Sequence, residues 1–221
     1  MLPTLQRPPI SYLITSGATD ERTTPASAEF ARLLAIVEQS VAAGITLIQL
    51  REKLLRPRVL YELTAQAAAL TRGRATRLLV NDRADIASAA GADGVQLTTQ
   101  SLPAPVVRRA FGPDFLIGVS THTQAEACAA RAGGADFAVF GPLFDTPAKR
   151  PYGQPIGLDA LRAAATALAP FPLVAIGGLT RANAPQALAA GAQGIAAIRL
   201  FADPQTLAHT VQALQDAQAK L

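Results

Sequence analysis

The hydrophobic positions of this chain recur as eight short apolar runs, separated by longer stretches with helical periodicity. Short apolar runs bounded by glycine or proline are typical of buried strands. We predict strands over residues 10–15, 45–51, 78–80, 94–97, 115–119, 137–140, 173–176 and 194–198. The intervening segments predict helices over 27–43, 57–70, 104–111, 125–132, 158–168, 183–190 and 204–220, and one short helix that ends at residue 90.

The strict alternation of strands and helices indicates a parallel sheet with helices packed against it. An open doubly wound sheet is the rival architecture, and it carries a glycine-rich turn after its first strand. Here the first strand is followed by Thr15-Ser16-Gly17-Ala18, and the pair Gly177-Gly178 follows strand seven instead. We therefore predict an α/β fold, a single (β/α)8 TIM barrel. It should form one domain over residues 1–221, with residues 1–9 as a flexible N-terminal segment.

A weak repeat with Ala-Gly at its centre closes four of the predicted helices just before a strand. Glycine suits that position because a helix C-cap favours a positive φ angle. Asp93 and Asp136 follow two of these repeats and begin strands, which places them on the face of a barrel opposite its active site. We interpret both carboxylates as structural.

The composition narrows the class of protein. Of 221 residues, 50% are hydrophobic and only 16% are charged, which predicts a globular chain with a large core. The single cysteine, Cys128, cannot form an intrachain disulfide, so we expect a reducing, cytoplasmic setting and a packing role for its side chain. Neither a signal sequence nor a membrane-spanning run is found.

The net charge of +4 comes from dispersed arginines, which indicates small anionic substrates rather than nucleic acid. The pattern leaves a homo-oligomer open.

The carboxyl ends of parallel barrel strands meet at one mouth, where TIM-barrel enzymes carry their active sites. Polar residues that follow strands are therefore the candidate site: Gln49, Arg51, Lys53, Asn81, Asp82, Ser120, His122, Thr146, Lys149, Gly177, Gly178 and Arg199. Three cations at one mouth, Arg51, Lys53 and Lys149, are costly unless a highly charged anion such as pyrophosphate binds there.

Several of these residues have two interpretations. Asp82 would bridge a Mg²⁺ ion to anionic oxygens, or would pair with Arg83 or cap the next helix. Gly177-Gly178 predicts a phosphate cradle, or a plain tight turn. Arg199 would bind the same phosphate or stay solvated. His122 would act as a general acid or base, or would cap helix five.

Seven phrases resemble the thiamine phosphate synthase and thiazole tautomerase family over nearly the whole chain. They are Gln49-Leu50-Arg51-Glu52-Lys53, Val80-Asn81-Asp82-Arg83, Ala92-Asp93-Gly94-Val95, Gly118-Val119-Ser120-Thr121-His122-Thr123, Gly141-Pro142-Leu143-Phe144, Thr146-Pro147-Ala148-Lys149 and Ala175-Ile176-Gly177-Gly178-Leu179. The resemblance implies a (β/α)8 barrel that acts on thiazole phosphate. In the synthase, hydroxymethylpyrimidine pyrophosphate ionises, the thiazole nitrogen captures the pyrimidinylmethyl cation, and pyrophosphate leaves on Mg²⁺.

The resemblance also implies roles for individual residues. Those that would hold the pyrimidine pyrophosphate are Gln49, Arg51, Lys53, Asn81, Ser120 and Lys149, and Thr146 is a further substrate-binding candidate. Asp82 would be a Mg²⁺ ligand, and Gly177 and Gly178 would hold thiazole phosphate. Ser120, His122 and Lys149 are the catalytic candidates.

Three departures from the family pattern keep alternatives open. The usual His-Leu-Gly-Gln-x-Asp reads Gln96-Leu97-Thr98-Thr99-Gln100-Ser101, so the second Mg²⁺ ligand would be the Ser101 hydroxyl. Thr146-Pro147-Ala148-Lys149 lacks one hydroxyl, and Arg199 replaces a serine near the phosphate.

The alternatives are a thiazole tautomerase, which would use His122 and no Mg²⁺, and a barrel that only binds thiazole or thiamine phosphate.

Overall fold

The structure is a computed structural model that describes residues 9–145 and 154–221. Its eight strands are β1 (Ile10–Ile14), β2 (Leu47–Leu50), β3 (Arg77–Asn81), β4 (Gly94–Leu97), β5 (Leu116–Thr121), β6 (Phe137–Phe140), β7 (Leu173–Ile176) and β8 (Gly194–Ala197). Each strand pairs in parallel with its sequence neighbours, and β1 pairs with β8, so the sheet closes into a barrel. The prediction of a (β/α)8 barrel is confirmed.

Eight helices follow the strands in order. They are α1 (Ala28–Ala42), α2 (Pro57–Thr71), α3 (Ala84–Ala89), α4 (Ala104–Phe111), α5 (Gln124–Ala132), α6 (Gly157–Leu168), α7 (Ala184–Ala189) and α8 (Pro204–Gln218). A 3-10 helix, Arg199–Phe201, lies between β8 and α8 and was not predicted. Within the described ranges, none of the helices has the length and hydropathy that a membrane crossing needs.

Alternate residues of each strand point to opposite sides of the sheet and build two cores. One lies inside the barrel and includes Tyr12, Leu79, Leu116 and Phe137. The other, larger core lies between the strands and the surrounding helices. Hydrophobic burial on both faces explains why the strands read as continuous apolar runs.

Strand β5 is longer than predicted, because Ser120 and Thr121 continue the pairing with Val139 and Phe140 of β6. Thr121 is buried, so its β-branched side chain packs like the apolar residues before it. The strand therefore carries Ser120 within the sheet, where its position is fixed by the backbone ladder.

The amino-terminal face of the barrel is held by two carboxylates, as the sequence predicted. Asp93 accepts hydrogen bonds from the Leu78 amide at 2.8 Å and from the Arg77 guanidinium at 3.0 Å. Asp136 does the same for the Ile117 amide, at 2.7 Å, and for Arg108, also at 2.7 Å. Each carboxylate thus links one strand to its neighbour.

Candidate active site at the carboxyl-terminal mouth of the barrel

The barrel brings most of the predicted residues to one mouth. Arg51 and Lys53 directly follow β2, and Asn81 ends β3 with Asp82 next in the chain. Ser120 lies near the end of β5, and the glycine pair and Arg199 follow β7 and β8. Thr146 and Lys149 lie outside the described residues, so their predicted roles stay predictions.

A buried chain of hydrogen bonds crosses the barrel below this mouth. The Gln49 Nε2 donates to the Tyr12 hydroxyl at 2.8 Å, and that hydroxyl donates to Gln96 Oε1 at 3.0 Å. The Gln96 Nε2 then donates to Ser120 Oγ at 3.1 Å. Two predicted substrate-binding residues, Gln49 and Ser120, are therefore connected through Tyr12 and Gln96, for which no role was predicted.

Tyr12 lies in the middle of this chain of hydrogen bonds. Its side chain is fully buried, and its ring packs edge-on against Phe137 with centroids 5.8 Å apart. Burial raises the pKa of the Tyr12 phenol well above its usual range, and the hydrogen bond from Gln49 only partly offsets this shift. Tyr12 consequently remains a neutral hydroxyl at any physiological pH.

The loop between β1 and α1 is fixed by the buried carboxylate of Glu52. Its Oε1 accepts from the Thr15 hydroxyl and from the Gly17 amide, while its Oε2 accepts from the hydroxyl and the amide of Thr19. Thr15 Oγ1 in turn accepts from the Arg51 amide at 2.8 Å. Glu52 thereby ties the first loop to the segment that carries Arg51 and Lys53.

The cations beside this loop are Arg51 and Lys53. Among the described residues, the half-buried Arg51 guanidinium and the exposed Lys53 ammonium make no ion pair or side-chain hydrogen bond. A half-buried guanidinium without a counter-ion is costly unless an anion binds it. The arrangement is therefore suited to an anionic substrate.

Beside Lys53 lies a cleft of about 240 Å³ between the ends of β2, β3 and β4. Its polar lining consists of Glu52, Lys53, Asn81, Asp82, Arg83, Thr98 and Gln100. Asp82 has a φ angle of 64°, a left-handed conformation that non-glycine residues adopt at a cost and mostly at functional sites.

Among the described residues, Asp82 neither forms an ion pair with Arg83 nor caps α3, although its charge attracts the nearby Arg83 guanidinium. The Arg83 guanidinium binds Asp85 at 2.5 Å, and it holds the pKa of the Asp85 carboxyl below its usual range. Helix α3 has Arg83 at its N-cap, without a side-chain capping bond. In the part of the chain that the structure describes, the Asp82 carboxylate accepts no hydrogen bond, which leaves it available to a ligand.

Ser101, the predicted second metal ligand, makes local hydrogen bonds. Its Oγ accepts from the Thr98 amide at 2.7 Å and lies 3.1 Å from Thr98 Oγ1. Thr98 itself lines the cleft with Asp82, whereas Ser101 is not among the residues that line it. The role of Ser101 in metal binding stays a prediction.

The residues at this cleft fit one type of metal site. No cluster of three His, Cys, Asp or Glu side chains occurs within residues 9–145 and 154–221. Mg²⁺ commonly binds one or two carboxylates and completes its shell with water and substrate phosphates. The unpaired Asp82 beside Lys53 fits a Mg²⁺ ion that is held largely by a pyrophosphate.

The glycine pair after β7 forms a close turn. Gly177 and Gly178 have φ angles of 97° and 66°, and a Cβ at Gly177 would lie 2.5 Å from the Cα of Pro142. Among the described residues their amide N–H groups have no acceptor, whereas both carbonyls are used, by Phe144 and Asn183. The turn thus presents free donors, as an anion site requires.

Asn183 and Arg199 complete this region in different ways. The Asn183 side chain donates to Gly178 O at 2.9 Å and accepts from the Thr180 amide at 2.7 Å, which fixes the turn. Arg199 is exposed and opens the 3-10 helix after β8. In many barrels the loops after strands seven and eight, with a short extra helix, bind phosphate.

His122 lies beside the mouth between β5 and β6. Its Nδ1 is 2.5 Å from the Gly141 carbonyl, which can only accept, so Nδ1 carries the proton and the neutral ring keeps Nε2 as an acceptor. The cap of α5 is Thr123, whose hydroxyl accepts from the Glu126 amide. His122 does not cap this helix through its side chain.

Sequence reasoning gave no role to Tyr12, Glu52, Gln96 or Thr98. The available signal was strand alternation, since Tyr12 shares the inward phase of Ile10 and Ile14, both barrel-interior residues. A polar residue whose side chain points into the barrel is a candidate for the site at the mouth.

Comparisons with known proteins agree with this geometry. The family model described as thiamine monophosphate synthase matches residues 12–201. The thiamine-phosphate synthase of Moorella thermoacetica is 45% identical over 75% of this chain and 78% of its own length. That of Chlorobium phaeovibrioides is 43% identical over 81% of this chain and 82% of its own.

Among solved structures, the thiamine phosphate pyrophosphorylase from Pyrococcus furiosus superposes with a TM-score of 0.78 at 30% identity, covering 96% of both chains. The synthase names of these relatives favour synthase activity over the tautomerase alternative. The chain belongs to the thiamine monophosphate synthase family and is an enzyme of thiamine biosynthesis.

Proposed function

We propose that this enzyme joins hydroxymethylpyrimidine pyrophosphate to thiazole phosphate at the mouth of its barrel. The carbon–oxygen bond to pyrophosphate breaks, and its electron pair leaves with the pyrophosphate. The thiazole nitrogen then gives its lone pair to the pyrimidinylmethyl carbon, so thiamine phosphate and pyrophosphate are the products and no proton is consumed.

One observation carries this proposal: cations and a carboxylate meet at the mouth without neutralising each other. Arg51, Lys53 and Asp82 make no ion pairs with the described residues, although Lys53 and Asp82 line the same cleft. Negative charge grows on the leaving pyrophosphate in the transition state. Pre-positioned cations therefore stabilise that state more than the ground state, and Lys149 would add a third.

Mg²⁺, when bound through Asp82, would neutralise part of the pyrophosphate charge. Thr98 offers a hydroxyl at the same cleft, and Ser101 supports it through two contacts. The carboxylate that the family usually supplies at position 101 is absent here. The cation set would therefore carry a larger share of the charge stabilisation.

The second substrate would bind on the opposite side of the mouth. The free amides of Gly177 and Gly178 suit the phosphate of thiazole phosphate, and Arg199 can add a charge-assisted bond. Binding both phosphates at opposite edges would hold the thiazole nitrogen against the pyrimidinylmethyl carbon. Such positioning is a large part of catalysis in a two-substrate reaction.

A turnover assay with both substrates and Mg²⁺, run on the natural protein, Asp82→Asn and Ser101→Asp, tests this proposal. Thiamine phosphate from the natural protein, a strong loss in Asp82→Asn and unchanged or higher activity in Ser101→Asp would support it. Product only from Ser101→Asp would mean a synthase scaffold diverted from coupling. Ligand-induced thermal stabilisation without product would indicate a barrel that only binds.

The tautomerase remains a second candidate because His122 Nε2 makes no hydrogen bond to the described residues. Replacing His122 with Gln separates the two activities. A synthase should keep most of its coupling rate, whereas a tautomerase should lose its proton transfer. Lys149→Ala should raise the KM for pyrimidine pyrophosphate if that residue contacts it.

We further propose a cytoplasmic location, which cell fractionation would test. We also propose a homo-oligomer that does not bind nucleic acid, which light scattering and binding assays would test. The prediction for residues 1–9 lies almost wholly outside the described residues.

A further inference from the structure

We propose that Tyr12 and Gln96 are positioning residues that fix which atoms Gln49 and Ser120 present to the substrate. Gln49 would face the mouth with its carbonyl oxygen, and Ser120 with its hydroxyl proton. This inference rests on the proposed function, in which Gln49 and Ser120 bind the pyrimidine substrate.

The chain of hydrogen bonds has a direction. It runs from Gln49 Nε2 to the Tyr12 hydroxyl, from that hydroxyl to Gln96 Oε1, and from Gln96 Nε2 to Ser120 Oγ, with distances of 2.8, 3.0 and 3.1 Å. Read alone, such a chain could run in either direction, since both amides and both hydroxyls can exchange donor and acceptor roles.

A backbone carbonyl selects one direction. The Gln96 Nε2 also lies 3.4 Å from Leu97 O, and a carbonyl oxygen can only accept. That end of the Gln96 amide must therefore be the donor, so Oε1 faces Tyr12. Since Oε1 can only accept, the single proton of Tyr12 is used there, and Gln49 has to offer its nitrogen to Tyr12.

The packing around these hydrogen-bonded side chains prevents other hydrogen-bond arrangements. Tyr12, Gln49 and Gln96 are each at most 2% exposed, so an unpaired amide or hydroxyl among them has no water to replace its partner. A Cβ at Gly118 would lie 2.4 Å from both Gln96 Oε1 and the Phe137 ring, so glycine is what leaves room for this amide. The raised pKa of Tyr12 keeps its proton in place.

The direction has a chemical consequence at the mouth. Gln49 Oε1 accepts no hydrogen bond from the described residues, so it can accept one from a ligand. Gln49 Oε1 would accept a hydrogen bond from an amino group on a heteroaromatic ring. A ring with a carbonyl group at the same position would place two acceptor oxygens against each other. Ser120 already accepts from Gln96, so its own proton is free for an anionic or ring acceptor.

The test compares two pyrimidine pyrophosphates, one with an amino group and one with an oxo group at the same ring position. The measured quantity is the ratio of their kcat/KM values. The natural protein should prefer the amino compound by about a hundredfold or more, because the wrong compound leaves buried polar atoms unpaired. A merely structural defect would slow both compounds equally and leave this ratio unchanged.

Substitutions of Tyr12 and Gln96 should affect the ratio in a defined way. Tyr12→Phe and Gln96→Met each release the Gln49 amide to rotate, so the preference should fall by about tenfold or more. Gln96→His should keep the preference, because one imidazole nitrogen accepts from Tyr12 while the other donates to Ser120. Leu161→Ala removes packing from the outer core between strands and helices, away from these side chains, so it should lower stability and leave the ratio unchanged.

An unchanged ratio in Tyr12→Phe or in folded Gln96→Met would overturn the inference, as would a lost preference in Gln96→His. Melting temperatures identify any variant that fails to fold, and the contrast between the two position-96 variants then decides. If the natural protein forms no product, the proposed function fails separately. Dissociation constants of the amino and oxo hydroxymethylpyrimidines, from calorimetry, then give the same ratio, and equal affinity would overturn the inference.

Discussion

Gly118 and Gln96 face each other across β5 and β4 inside the barrel, and the absence of a side chain on one makes room for the other. A Cβ at Gly118 would lie 2.4 Å from Gln96 Oε1 and at the same distance from the ring of Phe137. The backbone of β5 thus sets the position of a polar side chain on β4. The side chains of neighbouring strands share the space inside the barrel, and the hydrogen-bonded polar side chains occupy part of that space.

Replacing Gly118 with Ala should displace Gln96 and with it the support of Ser120. We expect an unfolding free energy lower by about 1–3 kcal/mol, as for other overpacked interiors, and a loss of activity larger than the stability loss explains. Steady-state kinetics and urea denaturation check this. Gly73→Ala is the control, since it has a φ angle of 72° and open space around it. It should cost about 1 kcal/mol of strain and leave kcat unchanged.

The turn after β7 predicts a specific defect in phosphate binding. Gly177→Ala should push a methyl group against the Pro142 backbone, only 2.5 Å away, and move the free amides. We expect the KM for thiazole phosphate to rise about tenfold or more, while the KM for pyrimidine pyrophosphate changes little. Gly191→Ala is the control, because Gly191 lies at the other end of the barrel and has a similar positive φ angle, 99° compared with 97° at Gly177. The two substitutions should therefore cause similar backbone strain. Equal kinetic defects in Gly191→Ala would contradict a local role.

The periodicity of apolar residues predicted the fold because a barrel buries both faces of every strand. The bounds of β4, α4, β6 and β7 agree with the prediction to the residue. The end of β5 was predicted two residues early, because Ser120 and Thr121 are polar and yet pair with β6. A local pattern cannot show that a neighbouring strand continues the ladder.

The candidate site was only partly predictable, for a related reason. Strand ends are visible in the sequence, so the positions of Arg51, Asn81 and Gly177 followed from topology. The contact from Tyr12 to Gln96 spans 84 residues and depends on the register of four strands, which no local spacing encodes. Likewise, Glu52 lies between two cations in the sequence Arg51-Glu52-Lys53, which predicts an exposed charge. Only the folded loop shows that its carboxylate is buried and accepts hydrogen bonds from two threonine hydroxyls.

The amino-terminal face should govern stability without affecting chemistry. The Arg108 guanidinium donates to Asp136 and to the carbonyls of Gly112, Phe115 and Gly134, and its side chain is only 21% exposed. A lysine cannot reach all of these acceptors, so Arg108→Lys should lower the unfolding free energy by about 2–3 kcal/mol. Urea denaturation measures this loss, and kcat below the melting transition should not change.

Arg58→Lys is the matched control for that variant. Arg58 pairs with Glu62 at 3.2 Å, but its side chain is 90% exposed. Exposed pairs of this kind contribute less than about 0.5 kcal/mol, so this variant should unfold like the natural protein. A similar loss in both variants would mean that the Arg108 contacts are no stronger than surface contacts.

Tyr12 should make the protein sensitive to alkaline pH. In the unfolded chain its phenol ionises near its ordinary pKa of 10.0, whereas burial raises the pKa in the folded protein. The folded state therefore binds more protons above pH 10.0, and stability falls as pH rises through the window between the two pKa values. The contribution is fully present below that window.

Denaturation curves collected at increasing pH should show this loss, and Tyr12→Phe should lose less stability over the same pH range because it has no phenol to ionise. The chain has no tryptophan and only three tyrosines, so phenolate absorbance can be followed directly. Below alkaline unfolding, Tyr12→Phe and the natural protein should show the same phenolate amplitude. A smaller amplitude in the variant would mean that Tyr12 ionises in the folded barrel, which is incompatible with a neutral hydroxyl between Gln49 and Gln96.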